Sequence, residues 1–575
     1  CCCRVRAGSR RTFSNSGFVL YPPTWHIMIL HARSYGAAMA CAAVASRLHF
    51  QWSRDSTAKS RGFALRPGAN SQGHLAAVHC DNSACSGPIA KEFLEEPTWD
   101  ELRAALMTLP LDERRAALSI IGLAIGDAAG LPFELRRGAR NRAQFHALKS
   151  DLARYDLAKG LVAKRALRKE HSPFVRTYSD DTSCCDLKME AAAQAERVQG
   201  KSAEEALRLA VLQQYLKWAH GTKDKDGIGK HGELFQGTGG FTQDLLIPYI
   251  FGRKNEVARE LGVKPLFETD PVMGEFWPTE EFANFALHYF QGDYSFPSWG
   301  NGAVMSFAPH PVLAGRWRRG TSAVHPELQA AAIVMSRSHQ EPTAWLGAEV
   351  MWELLDAVYS GAVGTTSNLR RVVAGLPKVL ELSALEHECI PVGAFREWLE
   401  KGDCQVATAE AFLCELGMDG PFALASGPHG VFGAMLHVAA DWNDDHKTRL
   451  KRPCSKEVVL FSQRGLNSLI IAIWAASDVT SPWQAISRVL YVGGDTDTVG
   501  AVVGQVACPL LDPSEVVNTF IDFTALGPTP MESKLQLANA AARRYFRRAL
   551  LFADISLEGV LHFRILAQSC SSNSD

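Results

Sequence analysis

Residues 98–130 read "TWDELRAALMTLPLDERRAALSIIGLAIGDAAG". Apolar residues recur at spacings of three and four, the period of a helix rather than a strand. Thr98 followed by Glu101 is the residue pair of a capping box, so a helix is predicted to begin here. Asp127 interrupts the apolar face, and Gly122, Gly126 and Gly130 allow another backbone to approach closely.

Working outward, the same period returns in "SCCDLKMEAAAQAERV", "SAEEALRLAVLQQYLKWAH", "PTAWLGAEVMWELLDAVYSG", "RGLNSLIIAIWAAS", "SPWQAISRVLYVGG" and "SKLQLANAAARRYFRRALL". Long strand signals are scarce, and no fixed-period repeat is visible. The expectation is one large all-α domain over residues 95–550, with long connections near 221–280 and 361–405 and a C-terminal tail at 551–575. A domain of that size exceeds the usual single-core limit, so insertions are expected.

The 575-residue chain has a net charge of −1, with 47% hydrophobic and 21% charged residues. That balance supplies no global field for nucleic acid or an anionic membrane. No uninterrupted apolar run approaches the roughly 18 residues of a membrane span, and a monomer is expected. Residues 1–92 differ from the rest. Positions 1–90 hold ten Arg or Lys against Asp55 and Asp81 alone, and six of the fourteen cysteines. Arg- and Ser-rich, acid-poor sequence fits an organelle transit peptide, with "MACAAVASRLHFQW" from Met39 as a candidate start. A non-native extension translated from upstream, or a disordered tail, fits equally well. The remaining eight cysteines form no C-x-x-C pair, which argues against a structural zinc site or a disulfide framework. The expected location is intracellular: cytoplasmic, or organellar if the basic segment is a transit peptide.

Two phosphate-loop matches fail on context. "GIGKHG" (227–232) follows "GTKDKD" rather than a strand, and "AERVQGKS" joins two helical segments. Four other stretches stand out: "GLAIGDAAGLPFE" (122–134), "TYSDDTSCCD" (177–186), "SWGNGAVMSFAPHP" (298–311) and "VGGDTDTVGAVVGQVAC" (492–508). Ser and Asp before a helix are ordinary caps, and Gly-Asn-Gly is an ordinary turn. The cap reading weakens at Asp495 and Asp497, which sit in apolar sequence with no Lys or Arg between Val489 and Pro509. Two carboxylates about 4 Å apart repel by roughly 4 kcal/mol at an effective dielectric of about 20. Buried carboxylates need cations or metals. Asp180, Asp181, Asp495 and Asp497 together carry the charge that two divalent ions would balance. Asp with Ser or Thr is a hard-ion ligand set.

In this order, the four stretches resemble the motifs of the ADP-ribosylglycohydrolases. The resemblance covers about residues 116–510. It implies an orthogonal all-α helical bundle holding two Mg²⁺ or Mn²⁺ ions. It assigns Ser179, Asp180, Asp181, Asp495, Asp497 and Thr498 as metal ligands. Glu134 matches the family's mobile glutamate, beside the metals and the reacting ribose. Trp299, Gly300, Asn301 and Gly302 match the loop that holds ADP-ribose, and His339 matches a ligand-contacting histidine. The family usually carries Arg after the Met of the Gly-Asn-Gly motif, whereas Ser306 follows Met305 here. The implied activity is hydrolysis of the C1″ glycosidic bond joining ADP-ribose to a protein side chain or small acceptor. Glu134, Asp181 or Asp497 would handle the proton. A catalytically idle ADP-ribose-binding or crystallin-like relative is the alternative, and a two-metal phosphoesterase a third.

Overall fold

The computed structural model describes residues 97–134, 138–168, 177–195, 267–269, 276–278, 300–316, 342–382, 392–416, 430–445, 450–451, 458–459, 461–528 and 532–554. All of them belong to the compact unit Cys85–Asp575. The segments 1–92 and 555–575 lie outside the described residues, as do Trp299, His339 and both rejected phosphate-loop matches.

Helices dominate, as expected. In chain order they are α1 Trp99–Thr108, α2 Leu111–Gly130, α3 Gly138–Ala147, α4 Asp151–Arg168, α5 Asp180–Ala195, α6 Gly302–Met305 and α7 Pro309–Arg316. Then come α8 Pro342–Tyr359, α9 Thr366–Ala374, α10 Pro377–Glu381, α11 Val392–Lys401, α12 Val406–Glu415 and α13 Gly430–Asp445. The last are α14 Gly465–Ala476, α15 Pro482–Val492, α16 Thr496–Ala507, α17 Pro513–Phe520 and α18 Ser533–Ala553. Two short antiparallel strand pairs accompany them: Phe267–Thr269 with Phe276–Pro278, and Leu450–Lys451 with Val458–Val459. The stretch 361–405, expected as a long connection, instead contains α9, α10 and α11. Each is short, but Leu369, Val373, Val379, Phe395, Trp398 and Leu399 are buried and dock it on the core. Tertiary burial stabilises helices too short to stand alone.

The capping box is present at α1. Thr98 Oγ1 accepts from the backbone N–H of Glu101, and the Glu101 carboxylate accepts from the N–H of Thr98 at 2.7 Å. The next helix, α2, is the centre of the fold. Ile120, Ile121, Leu123, Ala124 and Ile125 are fully buried, each large aliphatic side chain contributing about 1.5–3 kcal/mol relative to exposure. The segment Leu111–Phe133 is long and apolar enough to cross a membrane, and 94% of its most apolar 18-residue window is buried inside the protein.

Antiparallel to α2 lies α16, and glycines at a spacing of four set how closely the two pack. A Cβ on Gly122 would fall 2.2 Å from the carbonyl oxygen of Gly504, and one on Gly126 only 1.8 Å from that of Gly500. A Cβ on Gly130 would fall 2.1 Å from the oxygen of Thr496. Side chains normally set the separation of crossing helices; here the backbones themselves touch. This contact brings Asp127 of α2 beside Asp497 in the first turn of α16.

Candidate metal centre

Five elements converge on one buried acidic cluster. Asp127 is fully buried in α2 and accepts four hydrogen bonds from three donors. The Ser179 N–H donates to its Oδ1 and Oδ2 at 2.8 and 3.0 Å. The N–H and the hydroxyl of Thr182 donate to Oδ2 at 3.0 and 2.7 Å. One carboxylate thus gathers the orphan N–H groups at the start of α5 and fixes the turn that presents Asp180 and Asp181. Ser179 Oγ donates to Asp181 Oδ2 at 2.9 Å. The other oxygen of that carboxylate, Oδ1, is buried and has no hydrogen-bond partner.

Asp495 and Asp497 are aimed by the turn before α16. Gly493 and Gly494 have φ of 77° and 78°, left-handed values that suit glycine. A Cβ on Gly494 would also meet Ser462 Oγ at 2.1 Å. That hydroxyl instead accepts from the Asp495 N–H at 2.7 Å. Asn301 Nδ2 donates to Asp495 Oδ2 at 2.8 Å and to the Ser462 carbonyl at 3.3 Å. The amide of the Gly-Asn-Gly loop is therefore spent on orienting a carboxylate. Beside it, Gly300 forms an antiparallel bridge with Arg464. Gln505 of α16 holds the far end of α6, accepting from Phe307 and Ala308 N–H at 2.9 and 2.7 Å and donating to the Met305 carbonyl at 2.7 Å.

Two groups of carboxylates result. Oxygens of Asp127, Asp181 and Asp497 lie within 4.8 Å of one another, as do oxygens of Glu134, Asp495 and Asp497. Asp497 belongs to both. Asp180 stands outside the two groups but feels the charges of Asp127, Asp495 and Glu134. Thr498 donates its backbone N–H to Asp497 Oδ1 at 3.0 Å. Glu134, at the end of the turn that follows α2, is half-buried. Phe133 beside it packs edge-on against Phe145 of α3 at 5.3 Å.

The electrostatics are those of an uncompensated anionic cluster. Burial, with Asp127 and Asp495 adding repulsion, pushes Asp180 up to about 8. Burial and neighbouring carboxylates hold Asp181 and Asp497 well above the ordinary carboxylate range. Burial raises Asp495, opposed by its hydrogen bonds, and raises Asp127 against the four it accepts. No Lys or Arg among the described residues pairs with these five aspartates. The donor set fits a hard divalent cation on two grounds: it is all oxygen, and Asp181 Oδ1 is a buried acceptor that nothing in the protein satisfies.

Gly300, Asn301, Gly302, Ser179, Asp180, Asp181, Glu134, Asp495, Asp497 and Thr498 are thus brought into one region. Sequence reasoning noted Asp127 but gave it no role in the site; its signal was an acid in an otherwise apolar helix face. Ser462 carried no signal at all, because the site residues it holds, Asp495 and Asn301, lie 33 and 161 residues away.

A model of the family described as ADP-ribosylglycohydrolase matches residues 108–511. No curated protein matches the chain. Among solved structures, one described as an ADP-ribosylglycohydrolase-related protein complex is similar at 16% identity. That likeness covers 79% of this chain and 100% of the other, at a TM-score of 0.35, too low to bear on the fold. The family match spans well over half of the sequence and contains every carboxylate described above, so the chain belongs to the ADP-ribosylglycohydrolase family.

Proposed function

We propose that this protein is a divalent-metal-dependent hydrolase, using two Mg²⁺ or Mn²⁺ ions, that cleaves the C1″ glycosidic bond of ADP-ribose attached to a protein side chain or small acceptor. The observation that carries the reading is the pair of carboxylate groups sharing Asp497, one of them containing the orphaned Asp181 Oδ1. Asp127, Asp181 and Asp497 would hold one ion, and Glu134, Asp495 and Asp497 the other, with Ser179, Asp180 and Thr498 at the margin. Bound there, the ions supply fixed positive charge and Lewis acidity toward sugar hydroxyls and the attacking water.

The chain's own residues do the rest. Asp127 does not face a substrate; it locks the turn at Ser179–Thr182 so that Asp181 is preorganised. Asn301 and Ser462 do the same for Asp495. Glycosidic cleavage passes through an oxocarbenium-like state, and a carboxylate-rich wall favours that positive charge. In this reading the half-buried Glu134 carboxylate, grouped with Asp495 and Asp497, takes the proton from the attacking water, Asp181 and Asp497 being the other carboxylates that could do so. The water oxygen forms the new bond to C1″, the acceptor leaves with the electron pair and a proton, and intact ADP-ribose is released.

The test incubates the purified protein and Mg²⁺ with ADP-ribosylated arginine, ADP-ribosylated serine peptide and O-acetyl-ADP-ribose, and weighs the products. Release of ADP-ribose that EDTA and Asp497→Asn both abolish supports the reading. Turnover unchanged by both removes the metal assignment; phosphate or AMP as product identifies a phosphoesterase instead.

A further inference from the structure

Two histidines 291 residues apart in the chain meet between α3 and α13. His146 lies one residue before the end of α3, and His437 lies in the middle of α13. Their Nε2 atoms are 3.4 Å apart. Both residues are half-buried, so neither is sealed from solvent.

The contact is long for a direct hydrogen bond, whose nitrogen donors usually stand about 2.9–3.0 Å from the acceptor and in line with it. The ring planes are 79° apart and the centroids 5.2 Å apart. Two imidazoles aimed at each other along one line would hold their centroids farther apart, because each ring would add its full centre-to-nitrogen distance to the 3.4 Å gap. The two nitrogens therefore do not point straight at one another. A shared metal ion accounts for both distances. Zinc–nitrogen bonds of about 2.0–2.1 Å in tetrahedral geometry place two nitrogen ligands about 3.3–3.4 Å apart. Each nitrogen then aims at a point beside the line between them, which draws the ring centres together.

The imidazoles are also held in place before any ion arrives. His146 packs on the Tyr491 ring of α15 at 4.6 Å. Tyr491 in turn packs on Phe145 at 5.4 Å and under the Arg154 guanidinium at 4.8 Å. Arg154 is paired with Asp151 at 2.8 Å, which offsets its charge locally. His437 is positioned by α13, whose first turn is tied down by Asp403, an acceptor for the Val431 and Phe432 N–H groups at 3.1 and 3.0 Å. Ligands fixed by their own helices lose little freedom on binding.

We propose that His146 and His437 hold one transition-metal ion of the zinc class, with water completing its coordination, at a site separate from the carboxylate centre. Ligand chemistry divides the two: imidazole suits zinc, copper and nickel, whereas carboxylate and hydroxyl oxygens suit magnesium and manganese. An ion there ties α3 to α13. Phe145, the neighbour of His146, packs against Phe133 beside Glu134, so the tie bears on the helix that supports the Glu134 turn. The site does not rest on the proposed hydrolase activity.

Crystals of the full chain soaked in zinc chloride are measured at the zinc edge, and an anomalous peak about 2.1 Å from both Nε2 atoms is expected. In parallel, bound zinc is counted by equilibrium dialysis at neutral pH in excess Mg²⁺. His146→Gln and His437→Gln should each bind one zinc ion fewer per chain than the wild type, with folding checked by circular dichroism. Should one variant fail to fold, the other and the anomalous map decide. A zinc count unchanged by the substitutions, or a map without a peak between the two rings, overturns the proposal.

Discussion

Replacing Gly126 with alanine tests whether backbone contact between α2 and α16 builds the metal centre. The added methyl would sit 1.8 Å from the Gly500 oxygen and 2.2 Å from its carbonyl carbon. Ordinary contact begins at 3.4 Å, so the helices must separate locally by about 1.6 Å. Neither neighbour is a flexible side chain that could rotate away. Inserting a methylene into a packed core costs about 1–3 kcal/mol when side chains can adjust; with backbone on both sides, about 3 kcal/mol or more is expected. Gly160→Ala is the internal control. Gly160 lies on an exposed face of α4, and an added Cβ there would meet no atom within 4 Å. The higher helix propensity of alanine should therefore stabilise that variant by about 0.5–1 kcal/mol. Urea denaturation of both variants gives opposite shifts of the midpoint. Mg²⁺ should protect Gly126→Ala less than the wild type, because Asp127 and Asp497 are carried apart. A Gly126→Ala stability within about 0.5 kcal/mol of wild type would refute the close-contact account.

Three further outcomes are expected. Asp127→Asn turns one acceptor into a donor facing the Ser179 and Thr182 N–H groups; it should lower turnover by about 100-fold and weaken Mg²⁺ binding by about 10–100-fold, measured by calorimetric titration. Asn301→Ala releases the Asp495 carboxylate and should raise the Mg²⁺ concentration for half-maximal activity by about 10-fold while leaving the urea midpoint nearly unchanged. The pH dependence of the metal-free protein follows from the raised carboxylates. Asp180, ordinarily near 3.9 in an unfolded chain, stays protonated in the fold up to about 8. Its contribution is fully present below about 3.9 and is lost as pH rises toward about 8, so apo stability should fall across that window. Saturating Mg²⁺ should flatten the curve, which melting temperatures at pH 5, 6.5 and 8 will reveal; a flat apo curve contradicts the buried-anion description.

By itself the sequence determined the local facts. The period of residues 98–130 made the central helix, and Thr98 with Glu101 marked its approach by a capping box. Asp495 and Asp497, set in apolar sequence without a cation, announced a buried anionic site because a charge in such a setting must be balanced from elsewhere. The glycines at 122, 126 and 130 announced a close approach without naming what approaches. Only the tertiary structure decided the partners: that Gly500 and Gly504 lie against those glycines, that Asp127 orders the turn at Ser179, that Asn301 serves Asp495, and that Lys188 reaches Ser306. Periodicity and capping are set by neighbours a turn apart along the chain. Pairings across 52, 194 or 118 residues depend on how every intervening helix packs, and no local pattern encodes that.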